Sequence, residues 1–76
     1  MTAERESGGD VDIDARGLKC PWPALRLART MRSNDQVTVV ADDPMAASEF
    51  AALATENGWQ IDKVSTRIGD GWRISR

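Results

Sequence analysis

The sequence predicts an α+β fold, a two-layer sandwich in which two helices pack on one face of a four-stranded mixed sheet. Two kinds of pattern support it: apolar residues that alternate with period two, and two segments with a single apolar arc at helical spacing. Their order along the chain is β-α-β-α-β-β. Two consecutive strand-helix-strand units with right-handed crossovers place both helices on the same face of the sheet.

The first half of the pattern is a strand, a helix and a second strand. Residues 11–15 alternate apolar and acidic side chains, as a half-buried strand does. The first helix is predicted to begin at Pro21, a residue type that suits the first helical position, and to end at residues 33–35. Residues 36–41 form the second strand. The predicted apolar arc of the helix comprises Ala24, Leu25, Leu27, Ala28 and Met31.

The second helix is predicted from Pro44 to Asn57. Asp43 is its expected N-cap, because a carboxylate can accept hydrogen bonds from the first free N–H groups of a helix. Gly58 is its expected C-terminal stop. The predicted apolar arc comprises Ala46, Ala47, Phe50, Ala51, Leu53 and Ala54.

The last part of the chain predicts a strand, a tight hairpin turn at residues 69–71 and a closing strand at residues 72–75. The apolar residues after the second helix fall into two alternation phases. This change of phase predicts a bulge near Asp62 and Lys63. Trp59 and Trp72 are expected in the core or on a sheet face.

The composition limits the kinds of chemistry available. The 76 residues make one domain, with residues 1–10 expected to form a mobile tail and residues 11–76 the folded part. A single cysteine excludes an intramolecular disulfide. Without any histidine, the common zinc ligand sets and Ser-His or Cys-His catalytic pairs are also excluded. We therefore expect no metal and no cofactor.

Charge and hydropathy predict the compartment of the protein and argue against nucleic-acid and membrane partners. The net charge of −2 argues against direct nucleic-acid binding, which normally shows a basic excess. No apolar run approaches the length of a membrane span, and no export signal is evident. An unpaired thiol under these conditions points to the reducing cytoplasm. The composition is compatible with a monomer.

The segment GLKCPWPAL contains the one cysteine, Cys20, at the predicted N-cap of the first helix. The helix N-terminus and the nearby cations predict a positive field that lowers the pKa of the thiol toward neutrality. The prolines at positions 21 and 23 lack N–H groups, so this lowering is expected to be moderate. The alternative is a buried cysteine that acts as a small apolar residue. The nearby cations are Arg16, Lys19, Arg26, Arg29 and Arg32.

Trp22 and the arginines of the first helix each allow two interpretations. Trp22 anchors a partner or packs over the start of the helix. Arg26 and Arg29 form a docking face for an acidic partner or a solvated helix face. Arg16 and Lys19 join them as possible docking residues, because both lie beside Cys20 in the chain.

GLKCPWPAL resembles the Cys-Pro-x-Pro signature of the TusA/SirA-like sulfur carriers, preceded here by that family's Asp-x-x-Gly-Leu at residues 14–18. Residues 42–44, Asp-Asp-Pro, resemble the family's Asp-Pro motif at the second helix. The resemblance covers about residues 11–76. It implies that Cys20 bears the transferred sulfur, in a motif shaped by Gly17, Leu18, Pro21, Pro23, Asp43 and Pro44.

The resemblance also implies partners. Cys20 would accept persulfide sulfur from a cysteine desulfurase or a rhodanese-type donor and pass it to an acceptor protein, for tRNA thiolation, cofactor synthesis or sulfur oxidation. Such a protein is a carrier or an accessory sulfurtransferase subunit and not an independent enzyme. Two departures stand out. Glu49 and Phe50 occupy the place of a frequent Asp-Ile pair, and a second cysteine is absent from residues 51–54.

Two other functions remain open at this stage. The motif could merely set the helix in a thiol-independent regulatory or protein-interaction module. Alternatively, the sheet face could bind nucleic acid, as it does in similar domains of translation factors, although the net acidity argues against this.

Overall fold

The computed structural model describes residues 11–76, and the predicted mobile tail of residues 1–10 lies outside that range. Within it, two helices and four strands follow one another in the predicted order, which confirms the α+β fold. Neither helix in this range is long and apolar enough to cross a membrane. The elements are β1 (Ile13–Asp14), α1 (Trp22–Met31), β2 (Gln36–Val40), α2 (Ala46–Asn57), β3 (Gln60–Thr66) and β4 (Gly69–Ser75).

The sheet has the order β1-β2-β4-β3, so the last strand lies between the second and the third. β1 pairs with β2 in parallel, with Ile13 opposite Val39, and the other two pairings are antiparallel. Parallel pairing puts the carboxyl ends of β1 and β2 at the same end of the sheet. The loop that leads to α1 and the loop that leads to α2 therefore start side by side.

The core lies between the two helices and one face of the sheet. The register puts Ile13, Val39 and Trp72 on that face, because they are paired across β1, β2 and β4. The Phe50 ring of α2 meets the Trp72 ring edge-on, with centroids 5.3 Å apart. The fully or almost fully buried residues of this cluster are Ile13, Ala15, Leu27, Met31, Val37, Val39, Ala46, Phe50 and Ile74.

Parts of the two predicted apolar arcs are wrong. In α1 the buried line is Pro23, Leu27 and Met31, at spacing of four, whereas 51% of Leu25 is exposed. Leu25 lies two positions from both Pro23 and Leu27, about 200° around the helix axis from each. In α2, Ala47 and Ala51 are exposed. There, the residues buried against the sheet are Ala46, Phe50 and Ala54.

Both helices begin later than predicted. α1 has Pro21 as its N-cap residue, so Cys20 precedes the cap instead of forming it. α2 has Met45 as its N-cap residue, and no side chain caps either helix. The prediction that Asp43 caps α2 is wrong because its carboxylate is bound to another loop, as described below. The predicted stop at Gly58 is confirmed, since this residue is the C-cap of α2.

The predicted bulge and the predicted hairpin turn are also wrong. β3 and β4 pair without interruption from Gln60 opposite Ser75 to Thr66 opposite Gly69. The two alternation phases belong to two faces of one regular strand. The chain turns at residues 67–68, where the Thr66 hydroxyl donates to the Gly69 carbonyl over 2.6 Å. The glycine-rich residues 69–71 consequently belong to β4.

Gly71 is required by the approach of β2 and not by a turn. A Cβ atom at this position would collide with the carbonyl oxygen of Val39 and would lie 2.9 Å from Cγ2 of Val40. The first contact is with backbone, which cannot move aside as the end of a flexible side chain can. The central pairing of the sheet therefore depends on the missing side chain.

We predict that Gly71→Ala lowers the free energy of unfolding by about 2 kcal/mol, because a methyl group is forced against the β2 backbone. Urea denaturation followed by circular dichroism measures the effect. Asp70→Ala, at the exposed neighbouring position, is the control and should change stability by less than about 0.5 kcal/mol. Equal stability of the two variants would contradict the proposed steric role.

Candidate functional site

Cys20 lies in the loop between β1 and α1, and its thiol is free and exposed. The alternative of a buried cysteine is therefore wrong. The peptide bond between Cys20 and Pro21 is cis. Pro21 is exposed, whereas Pro23 is buried and holds the first turn of α1 against the core. The sulfur atom thus stands at the end of a loop whose following turn is fixed by packing.

Two consecutive aspartates fasten this loop to the one that leads to α2. The N–H of Cys20 donates to Oδ2 of Asp43 over 2.7 Å, and the N–H of Gly17 donates to Oδ1 of Asp42 over 2.9 Å. Gly17 has a φ of 84°, a left-handed conformation that residues with a Cβ rarely adopt. The two bonds use backbone donors on both sides of Lys19, so the loop is held at two points.

The remaining motif residues support the same loop from its flanks. Leu18 is half-buried and packs against the core, and its N–H donates to the Ala15 carbonyl over 3.2 Å. Pro44 follows the two aspartates and is exposed. The residues predicted to shape the motif thus lie in or beside these two loops, and the Asp42 and Asp43 side chains connect the loops by hydrogen bonds.

The carboxylate of Glu49 is the direct partner of the Cys20 sulfur. Glu49 lies in the first turn of α2, is half-buried, and accepts a hydrogen bond at Oε2 from the Cys20 thiol. This hydrogen bond raises the pKa of Cys20 above its ordinary value. Partial desolvation and the negative charges of Glu49 and Asp43 raise the pKa further.

The predicted positive field around Cys20, and with it the lowered pKa, is therefore wrong. The guanidinium of Arg16 is bound to Asp14, with Nε and Oδ1 2.8 Å apart, and lowers the pKa of that carboxyl to about 2. The helix that begins nearby has no side-chain cap and starts two residues after Cys20. The charges that act on the sulfur come from α2 and the loop before it, far along the chain.

Three of the five residues predicted to dock a partner, Trp22, Arg26 and Arg29, lie with Leu25 on one exposed side of α1. Trp22 is 58% exposed and Leu25 51% exposed, and Arg26 and Arg29 are exposed as well. Leu25, Arg26 and Arg29 follow Trp22 by three, four and seven residues, a spacing that puts all four on one side of the helix. We call these four residues the α1 stripe. It starts two residues after Cys20, and exposed Lys19 adjoins Cys20 on the other side.

Sequence reasoning did not identify Asp42 and Glu49 as site residues. The signal for Asp42 was its position directly after the second strand. Parallel strands end at the same edge of a sheet, which brings the polar residues that follow each strand close together. The signal for Glu49 was its position, where related sequences often have the aspartate of an Asp-Ile pair. Among residues 11–76, no group of three or more cysteine and acidic side chains is arranged to hold a metal ion.

We predict that Asp43→Ala loosens the Cys20 loop, because the N–H of Cys20 loses its acceptor. Native-state hydrogen exchange should show a loss of protection at this amide equivalent to about 1–2 kcal/mol. Asp43→Asn is the matched control, since its amide oxygen can still accept the bond, and it should retain most of the protection. Unchanged protection in the alanine variant would show that the bond does not hold the loop.

The chain is similar to known proteins over most of its length. The family model described as "Sulfurtransferase TusA" matches residues 11–75. A protein of Allochromatium vinosum named "Sulfur carrier protein TusA" is 40% identical over 55 residues, which cover 68% of this chain and 72% of that protein. Two proteins of Neisseria meningitidis serogroups A and B, named as candidate sulfur carriers, are each 35% identical over 60 residues, covering 75% of this chain and 81% of each relative. The chain therefore belongs to the TusA family.

Proposed function

We propose that this protein is a sulfur carrier in which Cys20 takes up one sulfur atom as a persulfide and passes it to an acceptor protein. The observation that carries the proposal is the exposed thiol on a loop fastened by Asp42 and Asp43. Membership of the TusA family and the names of the relatives support it. A lone exposed thiol fits carriage better than disulfide chemistry, because the chain has no second cysteine.

The transfer is a nucleophilic substitution at sulfur. The Cys20 sulfur, once deprotonated, attacks the outer sulfur of a donor persulfide, R–S–SH. A new S–S bond forms on Cys20 while the S–S bond of the donor breaks, and the donor cysteine leaves as a thiolate. The proton lost by Cys20 balances the charge on the leaving group. The total number of S–S bonds is unchanged, so the exchange needs no external oxidant or reductant.

The second half of the cycle is the same reaction with the roles exchanged. An acceptor cysteine, as thiolate, attacks the outer sulfur of Cys20–S–SH, and Cys20 leaves as the thiolate and regains a proton. Both steps need a partner's sulfur in line with Cys20, which an exposed thiol on a fixed loop permits. We propose a cysteine desulfurase or another persulfide-bearing enzyme as the donor.

Persulfide formation tests the proposal. After incubation with a cysteine desulfurase and cysteine, or with a rhodanese and thiosulfate, intact mass spectrometry should show the protein with one added sulfur. A reductant should remove this sulfur. Cys20→Ser should gain none.

Two outcomes would contradict the proposed function. Sulfur that adds equally to the serine variant would exclude Cys20 as the carrier residue. Absence of sulfur on the wild-type protein with both donors, together with full cellular activity of Cys20→Ser, would favour a thiol-independent interaction module.

We further propose that the α1 stripe receives an acidic surface of the partner. Trp22 and Leu25 supply exposed apolar surface on the helix that follows the Cys20 loop, and Arg26 and Arg29 add positive charge in a protein whose net charge is −2. Exposed aromatic and arginine side chains are enriched at protein interfaces. The Cys20 loop lies at the amino-terminal end of the α1 stripe, so a partner docked on the stripe would also meet this loop.

Charge reversal tests the docking surface. Arg26→Glu should weaken binding to the donor that loads Cys20 by about tenfold at low salt and by less at high salt. The matched control is Lys63→Glu, which changes the net charge equally on β3, at the other edge of the sheet from β1. Titration calorimetry measures both. Equal weakening by the two variants would mean that net charge alone governs association, and the stripe would then not be the docking site.

A further inference from the structure

The contact between Cys20 and Glu49 carries an inference beyond sulfur carriage itself. A carrier thiol must ionise to react, yet the group in contact with this sulfur is an anion. A carboxylate accepts a hydrogen bond from a thiol but repels a thiolate. The site therefore favours the form of Cys20 that does not react.

The charged groups near the Cys20 sulfur come from α2, from the loop before α2 and from the cysteine's own loop. Glu49 reaches the sulfur from α2, and Asp43, in the loop before α2, holds the N–H of Cys20 itself. On the cysteine's own loop, Arg16 is bound to Asp14, which leaves exposed Lys19 as the adjoining cation. The hydrogen bond to Glu49, partial desolvation and the negative charges of Glu49 and Asp43 raise the pKa of Cys20.

We propose that Glu49 sets the reactivity of the carrier thiol, holding the resting Cys20 sulfur as a hydrogen-bonded, protonated thiol that reacts slowly with electrophiles in solution. The inference rests on the proposed function for its biological meaning, because only a reactive carrier thiol needs such restraint. The hydrogen bond also fixes the direction of the sulfur between transfers.

The restraint matters because this chain has one cysteine. A thiolate is oxidised to a sulfenic acid, and a resolving cysteine can trap that product as a disulfide before further oxidation. No such cysteine exists here, so oxidation of a thiolate at position 20 can proceed to irreversible acids. Holding the sulfur protonated lowers the rate of the first oxidation step, because the thiolate is the reactive form.

The Glu49→Gln variant tests the inference through the pH dependence of alkylation. The variant removes the negative charge at nearly constant shape, so the pKa of Cys20 should fall. Ultraviolet thiolate absorbance gives the pKa, and the rate of reaction with iodoacetamide between pH 6 and 10 gives the reactive fraction. For each unit of decrease in pKa, the alkylation rate at pH 7 should rise by up to about tenfold.

Two further variants separate charge from structure. Glu56→Gln, on the same helix and exposed, removes the same charge and should leave the alkylation profile unchanged. Glu49→Asp keeps a carboxylate and should stay closer to the wild type than Glu49→Gln. Hydrogen peroxide should oxidise Cys20 of the glutamine variant faster than that of the wild type, as measured by intact mass. Urea denaturation confirms that all variants are folded.

The outcomes distinguish this inference from the proposed function. If the alkylation profiles of the wild type and Glu49→Gln coincide, or if Glu56→Gln shifts its profile equally, Glu49 does not set the reactivity of Cys20. Wild-type protein that still takes up sulfur from a donor would then leave the carrier function intact. If the profile of Glu49→Gln shifts as predicted but no donor loads the wild type, the inference about Glu49 stands and the carrier function fails.

Discussion

The site depends on the two hydrogen bonds by which Asp42 and Asp43 hold the backbone of the Cys20 loop. They join segments that are 25 and 23 residues apart in the chain, at the end of the sheet where the parallel strands β1 and β2 both finish. The bonds fix the loop relative to α2, whose first turn carries Glu49. These two hydrogen bonds anchor the loop and hold the Cys20 thiol beside the carboxylate of Glu49.

Most of the fold could be predicted from the sequence because it depends on periodicity. Apolar residues at helical spacing predicted the two helices, apolar alternation predicted the strands, and together they predicted the order of the elements. Details that depend on neighbouring strands were not predictable. Gly71 looks like a turn residue until β2 is seen lying against it, and the carboxylate of Asp43 looks like a helix cap until the Cys20 loop is placed beside it.

The site was predictable in its central residue and not in its electrostatics. Cys20 was identifiable from its place before Pro21 and Pro23, but the sign of the field around it was inferred from charges close in sequence. Charges close in sequence can pair with each other, as Arg16 does with Asp14, and so act weakly on a third group. The decisive charge, on Glu49, lies 29 residues away and reaches the sulfur only through the packing of α2 against the sheet.

The strand order has a consequence for how the protein is made. β4 is inserted between β2 and β3, so β2 has a partner on only one side until the closing hairpin arrives. Pairings this distant in sequence form late, since closing a long loop costs entropy before any contact repays it. A growing chain therefore presents its thiol segment well before the scaffold that orients it exists. The sheet that supports the Cys20 loop is complete only after β4 has been synthesised.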